Sequence, residues 1–325
     1  MTCPVPHEPT SSAAGLPHDV SAAVERFERV GGSVLFGLFG VGLFDQPMLP
    51  PVSAALEATG RSRYQPWARA VRTAAADQLI YHGTDADAAA EAERLMLLHR
   101  EVKGVGPDGQ RYSALEPQAW NWILYSTFFV QRGAYIALTG TEPTLAQNQA
   151  IWDHYRYKTR GLHLRGHNTP IEDYTDLVAH YERMATEELR ITDALVAATV
   201  SVREGPRPDF VPALAGPLWR AGAPMFSHVV MLLGCGIMHP RVRDRMPITW
   251  TARHDLEFRL LTAVLRTVFD RLPATVTDSP MARNRRRYER LAAKYRRVGL
   301  TSFAPDPALR PVRYAEPEPV ASIRS

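Results

Sequence analysis

The stretch EPQAWNWILYSTFFVQRGAYIAL, Glu116 to Leu138, decides the fold. It is apolar almost all round a helical projection, and a helix of that kind is a buried one. The segments around it carry the same helical period, and no run alternates convincingly as a strand does. Upstream, a first helix is predicted over about Val20 to Phe44, broken at DQPMLPP. A short helix follows from Val52, and GRSRYQP leads into another from about Trp67 to Tyr81. Thr84 and Asp87 make a capping pair for the helix that ends near Lys103, and GVGPDGQ then reads as a turn-rich loop. Downstream, TEPTLAQNQAIWDHYRYK, TPIEDYTDLVAHYERMATEEL and ARHDLEFRLLTAVLRTVFDRL each open a helix, the second with Thr169 and Glu172 as a capping box and Pro170 in its first turn. The reading is all-α: a single multi-helix domain over about residues 19–300. Residues 1–18 and 301–325, rich in Pro, Ser and Ala with little patterning, are expected to be mobile tails.

At 325 residues and 45% apolar, the chain can bury a large core. Two cysteines, Cys3 and Cys235, make no disulfide framework and suit a reducing compartment. The first twenty residues lack a charged-then-apolar leader, so the expectation is a cytoplasmic protein without export. The longest apolar runs, Ser33–Phe44 and Ala223–Met238, fall short of the roughly 20 residues that span a bilayer, and no integral membrane segment is expected. The pI of about 9.1 raises the question of nucleic acid. Of the 38 basic residues, however, only Lys103, Lys158 and Lys294 are lysine, a bias that fits a GC-rich genome better than a phosphate-binding surface. In the densest cluster, Ala282–Arg297, Tyr288, Leu291, Tyr295 and Val298 recur at helical spacing, which reads as an amphipathic helix with a solvated basic back. No nucleic-acid motif, nucleophile elbow, phosphate loop or dinucleotide fingerprint is present.

One histidine stands apart. In LMLLHREVKGVGPDGQRYSALEP, from Leu95, the residues Leu95, Leu98, His99 and Val102 lie at i, i+3, i+4 and i+7 and should share an inward face. Lys103 follows one turn on. His99 is then either a core histidine bonded to a carbonyl or carboxylate, or a metal ligand. On the preceding helix, Arg69 and Thr73 lie four apart, with Ala76 and Ile80 continuing the stripe. A guanidinium and a hydroxyl there suit the wall of a pocket for an anion or a polarised ligand atom; the plain alternative is a solvent-facing arginine. Two rivals are weaker. His163 and His167 lie four apart in GLHLRGHNTPIE, but Gly161, Gly166 and Pro170 break any helix there. His228, in the apolar MFSHVVMLL, reads as a buried core residue, with a place in a ligand pocket as the alternative.

Together, PWARAVRT, LHREVKGVGPDGQRYSALEP and GIMHPRVRDRMPITWTARHDLEFRLLTAVLRTVFDRLPA resemble the MpaB-type oxygenases, whose relatives include the latex-clearing proteins (rubber oxygenases), over about residues 60–290. The resemblance implies a globin-like helical domain that encloses a b-type heme. The family's axial histidine falls on His99 as the iron ligand, with Lys103 four residues on as a further cofactor contact. The family's paired arginine and threonine fall on Arg69 and Thr73, and Arg69 is placed either at a heme propionate or beside iron-bound oxygen. Arg72 falls where a rubber-cleaving relative carries an iron-capping lysine, although a guanidinium is a poor metal ligand. A further family histidine falls on Leu124, and the family's catalytic glutamate has no match before Tyr64. The implied activity is oxidation of a lipophilic small molecule with dioxygen or peroxide, by carbon–carbon double-bond cleavage or as a tailoring step. A non-catalytic heme- or ligand-binding protein is the alternative.

Overall fold

A computed structural model describes residues 17–60, 66–106, 109, 111–164 and 169–298. The expected tails therefore lie outside the described residues, apart from Pro17 and His18. Contacts group the chain into a unit ending at Arg283 and a second unit from Asn284, which holds the basic end of the last helix, Pro280–Arg297. Within the second unit Arg285 pairs with Glu289 at i, i+4, and Tyr288 and Leu291 are exposed.

The predicted central helix is α5, Pro117–Thr139, numbered after α1 (His18–Gly31), α2 (Pro50–Thr59), α3 (Pro66–His82) and α4 (Asp85–Arg100). Its ends follow from the sequence. Glu116 accepts from the Ala119 amide at 2.8 Å, Pro117 occupies the first turn, and Gly140 closes it in the left-handed conformation at φ 70°. Beyond it come α6 (Leu145–Lys158), α7 (Tyr174–Arg183), α8 (Asp193–Glu204), α9 (Gly216–Ile237), α10 (Pro240–Arg243), α11 (Ala252–Arg271), α12 (Ala274–Thr277) and α13 (Pro280–Arg297). Helices α1, α9 and α11 pack on α5, so Trp122, Phe128, Ala134 and Leu138 are shut off from water. Phe128 is the hub of an aromatic core: its ring lies 4.8 Å from Trp152, 5.3 Å from Tyr155, 5.4 Å from Phe129 and 6.1 Å from Phe27.

The first predicted helix is cut in two. α1 ends at Gly31, and Val34–Met48 continues as a 3₁₀ helix. Ser33 caps the new segment by accepting from the Leu35 amide, and its hydroxyl donates to Thr277 O at 3.1 Å. The Gln78 side chain of α3 donates to Gly31 O at 3.0 Å. The continuous helix was expected because VLFGLFGVGLF is uniformly apolar and hides its period. Gly37, Gly40 and Gly42 weaken any α-helix there. The segment crosses α9 at backbone contact: a Cβ on Gly234 would stand 2.5 Å from Val41 Cβ and 2.7 Å from the Gly42 nitrogen. One buried carboxylate ties the segment down. Asp45 accepts from Ser126 Oγ at 2.5 Å and from Tyr181 Oη at 2.8 Å, and burial outweighs these bonds to push its pKa up to about 6.

Other boundaries differ. The helix expected to end near Lys103 ends at Arg100, and the chain enters a small antiparallel hairpin, β1 (Lys103–Val105) with β2 (Arg111–Ser113). Three-residue strands are too short to show alternation. α7 starts at Tyr174 with Asp173 as its cap, not at the Thr169–Glu172 box, because Asp173 accepts from the Thr175 and Asp176 amides. The second apolar run belongs to a longer helical stretch than expected. Ala213–Ile237 is, among the described residues, the one helix long and apolar enough to cross a membrane, with 39% of its apolar window buried inside the fold.

Candidate cofactor site on two packed helices

α3 and α4 meet at a corner made by Gly83 and Thr84. A side chain at Gly83 would collide with the Leu79 carbonyl, and Thr84 with Asp87 forms the predicted capping box. Asp85 and Asp87 in the first turn of α4, and His99 with Arg100 in the last, also suit the helix dipole. From that corner Arg69 lies 14 residues back along α3 and His99 lies 16 residues forward along α4. At 1.5 Å per residue these are similar distances, about 21 and about 24 Å. The two helices pack on one another, and Arg69 and His99 each lie towards the end away from the corner.

His99 is half-buried, and its ring stands edge-on to Trp120, with centroids 5.3 Å apart at 77°. Its Nδ1 lies 2.7 Å from the Leu95 carbonyl. A carbonyl only accepts, so Nδ1 carries the hydrogen, and in the neutral ring Nε2 keeps its lone pair. Nε2 makes no hydrogen bond among the described residues. Beneath the ring lies an apolar cluster of Ile80, Ala92, Trp120, Leu124 and Leu162, with Leu95 and Met96 against it. Trp120 is held in place by its own bond to Leu162 O at 2.6 Å.

The stripe around His99 departs from the expectation. Leu98 is 44% exposed instead of facing the core, and Val102 lies beyond the helix end. The reason is that α4 is an outer helix, packed mainly on α3 and on the short turn Arg160–Leu162. Lys103 is exposed on β1 rather than one helical turn beyond His99. On α3, Ala76 and Ile80 are buried, whereas Arg72 and Thr73 are exposed and Arg69 is half-buried. Arg69 makes no hydrogen bond or ion pair among the described residues, and burial lowers its pKa. An unpaired, partly desolvated guanidinium wants an anion or a polarised oxygen.

Asp77, one turn below Thr73, escaped the sequence reading. By area it is half-buried, but its carboxyl is surrounded by protein, near the buried phenols of Tyr81 and Tyr155. It accepts no hydrogen bond among the described residues, and burial alone pushes its pKa up to about 7. The folded state thus holds the Asp77 proton more tightly than the unfolded chain. The resulting stability is complete below about pH 4 and is lost as pH rises to about 7, a loss of up to about 4 kcal/mol. Asp77→Asn should therefore gain on the parent protein between pH 4.5 and pH 8 in urea unfolding. Parallel stability curves for the two proteins would remove Asp77 from this role.

The rival histidines are elsewhere. His228, expected to be buried, has a side chain 47% exposed, with Nε2 2.9 Å from Glu257 Oε2; it sits on the outward side of α9. His163 Nε2 lies 3.4 Å from the Thr159 hydroxyl, and burial lowers its pKa. His167 lies outside the described residues. Among those described, no group of three or more His, Cys, Asp or Glu is arranged to hold a metal ion.

A family model described as "ER-bound oxygenase mpaB/B'/Rubber oxygenase, catalytic domain" matches residues 28–267. No curated protein and no solved structure matches the chain.

Proposed function

The chain belongs to the mpaB/rubber oxygenase catalytic-domain family, a family of oxidoreductases, and from that premise we propose that it is a heme-b-dependent oxygenase acting on a lipophilic small molecule. The observation that carries this reading is the His99 imidazole. Its Nδ1–H is engaged by Leu95 O, and its Nε2 lone pair is uncommitted beside an apolar cluster. That is the donor state a heme iron requires, and the bond at the other nitrogen fixes both tautomer and ring orientation. When bound, heme supplies dioxygen or peroxide activation, which the protein side chains cannot.

The chain's own residues have separate tasks. His99 would hold the iron through Nε2, and its ring is braced by Trp120. Arg69 supplies a permanently charged donor with no competing carboxylate, suited to a propionate or to a developing charge on oxygen. Thr73, four residues on, adds a hydroxyl to the same side of α3. Arg72 is exposed, and its guanidinium contributes donors, not a ligand. Exposed apolar side chains on the pair, Val71, Leu97 and Leu98, suit a large apolar prosthetic group and substrate.

A second reading, heme or ligand binding without turnover, has one observation in its favour. Leu124, at the position of a family histidine, is buried in the apolar cluster. Hemin titration followed by reduction and exposure to dioxygen tests the proposal. A saturating Soret band at one heme per chain, with oxygen uptake in the presence of an oligo-isoprenoid such as squalene, supports an oxygenase. A Soret band without uptake across a panel of lipophilic alkenes and phenols supports the carrier. A colourless protein removes heme from both readings.

A further inference from the structure

The last helix, α13, is set apart from the rest of the chain by its charge. Eight basic residues against the single acid Glu289 give it seven net positive charges, whereas the whole chain carries four. The remainder of the molecule is therefore net negative. An arginine bias spread through the composition would not gather the positive charge into one helix. The helix also lies beyond residues 28–267, so membership of the family gives it no role.

Its root is fixed. Ala282 is buried, and Ser279 Oγ accepts from the Ala282 amide at 3.2 Å and donates to Gln78 Oε1 at 2.5 Å. Beyond the root, two stripes run side by side. Arg287, Arg290, Lys294 and Arg297 recur every three or four residues, and all four are exposed. Tyr288, Leu291 and Val298 each follow one of these cations by one position, about 100° further round the helix. They are 63, 47 and 65% exposed. The one acid, Glu289, is paired with Arg285. A surface helix of a globular protein turns its apolar stripe to the core. Here the apolar stripe and the cationic stripe both meet water.

We propose that α13 is a docking helix for an anionic lipid surface. Laid in the plane of a bilayer, Tyr288, Leu291 and Val298 enter the acyl boundary, and the cationic stripe beside them stands level with the phosphates. Tyrosine suits that depth, because its ring is apolar and its hydroxyl reaches water. A nucleic-acid backbone would engage the cations and leave the apolar stripe in water, so the pairing of the two stripes favours lipid. The docking involves neither His99 nor heme.

Co-sedimentation of the full chain with vesicles tests this, using phosphatidylcholine alone and phosphatidylcholine with about a quarter phosphatidylserine. Expected is binding at least about tenfold tighter to the anionic vesicles, lost as salt is raised towards about 0.5 M. Arg287→Gln with Arg290→Gln should weaken it by about 25-fold, roughly fivefold for each charge removed. Leu291→Ser should weaken it by about fivefold, and His99→Ala should leave it unchanged. All the substituted helix side chains are exposed, and far-UV circular dichroism checks the fold. If the double variant does not fold, Lys294→Gln takes its place, with a loss of about fivefold. No preference for the anionic vesicles, or a preference that survives loss of these charges, would overturn the assignment. So would Leu291→Ser without effect on a chain that binds duplex RNA or DNA more tightly than vesicles, which would make the cationic stripe a nucleic-acid contact.

Discussion

His99→Ala is expected to give a folded protein that no longer binds hemin. The fold should survive because α4 rests on its capping box, on buried Ala92 and on its packing against α3, none of which involves the imidazole. Alanine at the last turn is also a better helix former than histidine. What is lost is the one nitrogen near Trp120 that is oriented by its neighbour and unpaired. Loss of partners outside the ligand shell typically weakens a metal site 10–100-fold, so loss of the ligand itself should exceed about 100-fold. The measurement is the Soret absorbance in a hemin titration, with far-UV circular dichroism as the check on folding. His163→Ala serves as the control and should keep the band, since that ring faces the Thr159 hydroxyl. An undiminished Soret band in His99→Ala would move the iron to another residue and take Arg69 and Thr73 out of their roles with it.

The largest loss of stability is expected at Phe128. Its ring is wholly buried and meets Phe27, Phe129, Trp152, Tyr155 and Tyr174. These rings come from α1, α5, α6 and α7, so no single helix can move in to fill the space. Phe128→Ala should therefore cost about 3–5 kcal/mol, the upper range for an aromatic cavity. Phe128→Leu, which keeps most of the volume, should cost clearly less. Chemical denaturation of the three proteins measures this, with fluorescence of the neighbouring Trp152 as a local signal. A loss below about 1 kcal/mol for the alanine variant would mean that the aromatic core relaxes around the gap.

The all-α class could be read because the central helix is long, apolar and bounded by Pro117 and Gly140. The corner at Gly83–Thr84 could be read because a capping box is a local contract between two side chains. Val34–Met48 could not, since glycines in a uniformly apolar run leave no period to distinguish 3₁₀ from α. Of the candidate residues, His99, Arg69 and Thr73 stood out by type and spacing. Their surroundings did not: exposure of Leu98, Thr73 and Arg72 depends on which helices leave α3 and α4 uncovered. Asp45 and Asp77 were passed over because each looks like an ordinary acidic residue in sequence, and only enclosure raises its pKa. His228 was misjudged because apolar neighbours in sequence do not make a neighbour in space.

The crossing of Gly42 and Gly234 has a consequence for how such a chain can diverge. A methyl group on Gly234 would force the two backbones apart, and trimming Val41, whose Cβ it would also meet, would leave the Gly42 backbone nitrogen in its way. Neutral drift can therefore repaint the outer faces of the bundle while this junction stays closed to exchange, and grafting a new loop or domain between the two segments would have to leave it untouched.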